Sequence, residues 1–209
     1  MMVIRSLCRQ SRGGIHMKIY DISQEVFSCC VFPGNPAPER TVIRSMAAGE
    51  RNNLTAFSMC AHNGTHVDVP FHFLKDGKTV DRMVLDVFVG ECYVARHTGD
   101  VTGADAEIIL AKAGGVKRLL IAGDVTVTEE AAEVFAGHGL LLLGNESQTV
   151  GPVNAPMAVH KILLSREMAL LEGIVLDGVP EGQYFLSAAP LNLGGADGAP
   201  CRAYLMAHN

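Results

Sequence analysis

The chain has no tryptophan, and its 209 residues include only 4 tyrosines and 8 phenylalanines. That excludes an aromatic belt at a membrane interface and a tryptophan-lined pocket. No apolar run approaches the roughly 20 residues that span a bilayer. The richest, Gly139-Leu140-Leu141-Leu142-Leu143-Gly144, is the length of a strand. Charge is sparse, with 17 Lys and Arg against 22 Asp and Glu. A net charge of −5 and a pI near 5.9 make a poor match for nucleic acid or an anionic membrane surface, so neither is expected as a partner. The six cysteines include no C-x-x-C pair, and no secretory apolar stretch precedes them. Reduced thiols and a cytoplasmic location are the expectation. What is present is apolar: 48% hydrophobic residues against 19% charged excludes disorder and suits one domain with a real core.

Residues 1–16 stand apart. They carry Arg5, Arg9 and Arg12, no acid and no periodicity, and are expected to be a non-native or disordered extension. Arg12-Gly13-Gly14 can be encoded by a ribosome-binding sequence, which would make Met17 the true start. From there the pattern predicts a strand over 18–22 and a rigid loop through Pro33, Pro36 and Pro38. Helices are expected over 104–114, over 129–137 with Thr128 as its cap, and over 155–166. Short buried strands are expected at 119–123, 140–144 and 174–176. Such alternation of apolar strands and helices indicates an α/β fold.

Three of the eight histidines fall in one eleven-residue stretch, His62-Asn63-Gly64-Thr65-His66-Val67-Asp68-Val69-Pro70-Phe71-His72. Parity is informative here. His62, His66, Asp68 and His72 hold even positions, whereas Val67, Val69, Phe71 and Phe73 hold odd ones. On an extended chain this puts the polar groups on one face and the apolar groups in the core. A helix would throw Asp68 about 200° away from His62, and Gly64 and Pro70 disfavour one. Extended, His62 and His66 would stand about 13 Å apart, at roughly 3.3 Å per residue. Ligands of one metal must converge, so Gly64 is expected to bend the chain and fold His62 back over His66. Two imidazoles and one carboxylate suit Zn²⁺, Mn²⁺ or Fe²⁺ and leave positions open for water, as a catalytic site requires.

This stretch resembles the H-x-G-T-H-x-D-x-P-x-H signature of the metal-dependent cyclase-like hydrolases, a family that includes bacterial kynurenine formamidase and isatin hydrolase. Phe32-Pro33-Gly34-Asn35-Pro36 and the late segments 182–191 and 195–202 extend the resemblance over nearly all of residues 17–209. It implies a single α/β domain of swivelling β/β/α type, with a central barrel-like sheet flanked by helices. It implies hydrolysis of a carbon–nitrogen amide bond by metal-activated water, with a small-molecule amide such as N-formylkynurenine or a related aryl formamide as substrate. Carried over by position, His62, His66 and Asp68 are first-metal ligands and His72 transfers protons. His160 and Glu172 stand where the formamidase branch holds a second metal. One or two Zn²⁺ per chain are expected, or Mn²⁺, in a homodimer or larger homo-oligomer. Two readings compete: a mononuclear hydrolase of cyclic amides of the isatin type, and a non-catalytic binding protein with a structural metal. The sequence departs from the family around the pocket. The family's G-x-D-x-x-S appears as Gly144-Asn145-Glu146-Ser147-Gln148-Thr149 with acid and hydroxyl displaced, Ala122-Gly123-Asp124 replaces a threonine-glycine pair, and the pocket tryptophan is missing.

Overall fold

The computed structural model describes residues 17–208, so the expectation for residues 1–16 lies outside the described residues. The first half of the chain supplies β1 (Met17–Asp21), β2 (Glu39–Arg44), β3 (Leu54–Ser58), β4 (His66–Asp68) and β5 (Val89–Arg96). Strands and helices then alternate: β6 (Gly99–Val101), α1 (Gly103–Ala113), β7 (Arg118–Ala122), β8 (Val125–Val127), α2 (Glu129–Gly137), β9 (Leu142–Asn145), α3 (Met157–Leu164) and β10 (Ala169–Glu172). The chain closes with β11 (Gly182–Ser187), β12 (Gly198–Pro200) and β13 (Tyr204–His208).

Nine strands form one sheet in the order β1-β13-β11-β5-β7-β9-β10-β4-β12, which curls into a half-barrel. The central four, β5, β7, β9 and β10, are mutually parallel. The strands outside them pair antiparallel. A parallel strand covered on both faces is apolar throughout, and every residue of β7 is buried. Alternate side chains divide the core: Leu119, Ile121, Leu143 and Leu170 pack with the three helices, while Leu120, Leu142 and Leu171 face into the curl with Val67, Leu186 and Leu205. The expected α/β domain with a barrel-like sheet is the one observed.

Helix ends follow local chemistry. Thr102 and Asp105 form a capping box on α1, Gly114 closes it at φ +68°, and the Thr128 hydroxyl accepts the Ala131 N–H to start α2. The helix expected over 155–166 is shorter, Met157–Leu164. The strand expected at 174–176 is a correction. It lies instead at Ala169–Glu172, because Gly173 takes φ +65° and breaks the extended chain. Ile174 and Leu176 are buried there as irregular backbone.

β2 and β3 form a separate two-stranded hairpin in which every residue is exposed, including Val42, Ile43, Leu54 and Phe57. Among the described residues, no helix is long and apolar enough to cross a membrane.

Candidate metal centre

The site forms where β4 lies antiparallel to β10 with His66 opposite Glu172. Residues directly opposite share a face, as do His66 and Asp68 two apart on their strand. Leu170 of that same face packs with the helices, so the three polar side chains look toward α3, which supplies His160. The location is the carboxyl end of the parallel strands, where α/β sheets open to ligands.

Gly64 makes the expected bend at φ +61°, a conformation that suits glycine. Its N–H donates to the Cys30 carbonyl at 3.0 Å, and the His62 and His66 ring centres come within 5.2 Å. Val67 and Val69 are fully buried, as the alternation requires. Beyond Pro70 the alternation fails. Pro70–His72 is a 3-10 turn of period three, so Phe71, expected in the core, is exposed. The same turn carries His72 over the site.

Asp68 is the hub. Its Oδ1 lies 2.7 Å from His62 Nδ1 and 3.3 Å from His66 Nε2; its Oδ2 lies 3.5 Å from His160 Nε2 and 3.8 Å from His72 Nε2. Glu172 Oε1 is 3.2 Å from His160 Nε2 and accepts the Val150 N–H at 2.8 Å, while Oε2 is 3.6 Å from His66 Nε2. Two histidines are oriented by backbone. His66 Nδ1 is 3.0 Å from the Gly64 carbonyl and His160 Nδ1 is 2.8 Å from the Pro156 carbonyl. A carbonyl accepts only, so each Nδ1 carries a proton and each Nε2 is the nitrogen turned to the cluster, free to take a metal in place of a second proton.

The donor set fits divalent cations. His62, His66 and Asp68 form one group of ligand atoms within 4.8 Å of one another, and Asp68, His160 and Glu172 form a second that shares Asp68. Asp68 and Glu172 are 1% and 2% exposed, yet among the described residues no lysine or arginine lines the cleft around them. Two buried carboxylates without a fixed cation are costly, and a metal between imidazoles removes that cost. In the protein alone, protons take its place. Burial pushes the His62 and His160 imidazoles down, but hydrogen bonds donated to Asp197 and Asp68 raise His62 to about 10, and those donated to Asp68 and Glu172 raise His160 to about 10. Burial likewise pushes the Asp68 carboxyl up, yet His160, His62 and His66 hold it well below the usual carboxylate range.

All six expected site residues meet in one cleft of about 210 Å³, with Phe32, Phe73 and Pro156 as apolar walls. Asp197, which no spacing argument singles out, also enters. Its Oδ2 lies 2.9 Å from His62 Nε2 and 3.2 Å from His72 Nδ1. The one sequence signal for it is its place in the late segment 195–202.

The Cyclase family model matches residues 19–151. A kynurenine formamidase of Erythrobacter litoralis is 34% identical over 90% of this chain and 93% of its own length. Among solved structures, a potential metal-dependent hydrolase with cyclase activity is 27% identical with a TM-score of 0.79, over 92% of this chain and 99% of that one. Isatin hydrolase A from Labrenzia aggregata shares the fold at 20% identity and a TM-score of 0.79, over 92% of this chain and 94% of its own. The match spans more than half of the chain, and the relative more than two thirds, so the chain belongs to the Cyclase family.

Proposed function

We propose that the protein is a metal-dependent amidohydrolase that cleaves the carbon–nitrogen bond of an aryl formamide, with N-formylkynurenine as the leading candidate. The observation that carries this reading is the Asp68-centred cluster, six convergent side chains with no lysine or arginine among the described residues that line their cleft. His62, His66 and Asp68 Oδ1 would hold one divalent ion, and Asp68 Oδ2, His160 and Glu172 a second, with zinc favoured by the imidazole-rich set and manganese acceptable. When bound, such ions polarise the carbonyl and bring the pKa of water towards about 7. The second donor group argues against the mononuclear cyclic-amide reading. His72 argues against a purely structural metal, because its Nε2 faces the cluster from 3.8 Å while the group of possible ligand atoms it belongs to, with His62 and Asp197, is separate from the two that share Asp68.

The chain's own residues then act in sequence. Phe32, Phe73 and Pro156 receive the flat apolar part of the amide and thin the water around its carbonyl. His72 Nε2 takes a proton from the attacking water and returns it to the departing amine nitrogen, which leaves poorly unless protonated. The carbonyl carbon gains the bond to water oxygen and loses the bond to nitrogen; formate and a free arylamine result.

The experiment is elemental analysis of the purified protein, joined to a hydrolysis screen over formanilides, N-formylkynurenine and cyclic imides. Two divalent ions per chain and release of formate are expected. His72→Ala should lower kcat by about 10² to 10⁴ with metal content unchanged. A variant depleted of metal would make His72 a ligand and overturn its role as proton carrier. A homo-oligomer, supported by the exposed apolar hairpin, and a cytoplasmic location, supported by five free cysteines among the described residues, belong to the same proposal.

A further inference from the structure

Two of the four clustered histidines are oriented by backbone carbonyls, and the other two share a side chain. We infer that Asp197 is a positioning residue whose single oxygen, Oδ2, fixes the tautomers of His62 and His72 together and so couples metal binding to proton transfer. The inference rests on the hydrolase reading for its consequence in rate, but not for its geometry.

Asp197 Oδ2 lies 2.9 Å from His62 Nε2 and 3.2 Å from His72 Nδ1. An ionised carboxylate accepts and cannot donate, so both ring nitrogens must carry hydrogen. His62 Nδ1, 2.7 Å from Asp68 Oδ1, holds a second hydrogen in the metal-free protein, and with Nε2 tied to Asp197 it is this Nδ1 hydrogen that gives way when the first ligand group takes an ion. The same assignment leaves the lone pair of His72 on Nε2, the nitrogen that faces Asp68 Oδ2. The opposite tautomers would turn a proton toward the ions and remove both functions at once. The two rings lie 4.1 Å apart and tilted by only 31°, as expected for imidazoles that converge on one acceptor.

The backbone of residue 197 is anchored independently of its side chain. The Asp197 carbonyl accepts the Val69 N–H at 3.2 Å, and the next residue, Gly198, pairs in register with Asp68. A Cβ at Gly198 would stand 2.8 Å from His62 Cε1, so glycine is what lets this strand end approach the ring. The Asp197 side chain itself is 41% exposed, which makes its replacement tolerable to the fold.

The test uses the full chain loaded with zinc, as wild type, Asp197→Ala and Asp197→Asn. Alanine removes the acceptor, whereas asparagine keeps an oxygen of the same reach without the charge. Long-range ¹H–¹⁵N correlation should show hydrogen on Nδ1 of His72 and Nε2 of His62 in the wild type. Alanine should lose that pattern and weaken zinc binding about 10- to 100-fold in competition with a chromophoric chelator; asparagine should preserve the tautomers and recover part of the affinity. Turnover of the best amide in the screen should follow the same ranking. If Asp197→Ala keeps both the tautomers and the zinc affinity of the wild type, the inference is wrong. If no amide is hydrolysed by any form, the hydrolase reading fails, while the tautomers and affinities still decide the role of Asp197.

Discussion

Gly64 sits at φ +61°, and a Cβ placed on it would meet the Cys29 Cβ at 2.7 Å. Both facts bear on metal affinity, because this bend brings His62 over His66. Gly64→Ala should cost about 1–2 kcal/mol for the left-handed backbone, before the clash is added. We expect a lower Tm and weaker zinc binding in the same variant; zinc affinity equal to wild type would show that the bend does not set the His62 position. Within 62–72 the site was legible by parity and spacing, since His62, His66 and Asp68 are close in sequence and the bend has its glycine. His160 and Glu172 are ninety residues or more beyond Asp68, and resemblance rather than pattern pointed to them. Asp197 was not legible. It lies 125 residues from His72, on a partly exposed turn, where an aspartate reads as ordinary surface.

At the level of elements, caps carried more information than hydrophobicity. Thr128 and its two following acids marked the start of α2 correctly, because an N-cap acts through bonds within three residues. β10 was misplaced because apolar residues flank Gly173 on both sides, and only the backbone angle there says which side is strand. β5 and β11 join through pairing of residues 88 to 98 apart in the chain, which no local window contains. The β2–β3 hairpin shows the other limit. Two strands alone are marginal in water, and these expose Val42, Ile43, Leu54 and Phe57 beside an apolar groove of about 720 Å³ lined by Phe27, Met59 and Leu191. A second copy of the chain is the proposed cover. Light scattering should report a dimer or larger, and Val42→Ser with Phe57→Ser should shift it toward monomer. A wild-type protein that is monomeric at micromolar concentration would remove this assignment.

For the whole molecule, the charge balance of the centre links metal to stability. His62 and His160 rise from an ordinary value of 6.5 to about 10 in the folded, metal-free protein. A raised folded pKa stabilises fully below the unfolded value and is lost as pH climbs through the folded one. Chelated protein should therefore lose Tm steadily between about pH 6.5 and pH 10. Metal needs the same imidazoles deprotonated, so loaded protein gains affinity over that range. The difference in Tm between loaded and chelated samples should widen with pH; a constant difference would show that these imidazoles do not titrate with metal release.

β4 is three residues long and lies between β10 and β12, both of which follow it in the chain. From Asp68 to Pro200 a ribosome adding 5–20 residues per second needs roughly 7–26 s. Until Glu172 is added neither neighbour of β4 is complete, and until Pro200 is added one of the two is still missing. The donors on α3 and β10, and Asp197 last of all, are added one after another during the same wait. Metal cannot nucleate such a fold at full affinity from the front of the chain. Capture of the ion thus falls at the close of biosynthesis, and a polypeptide released before residue 197 would carry the signature motif without the grip that holds it in register.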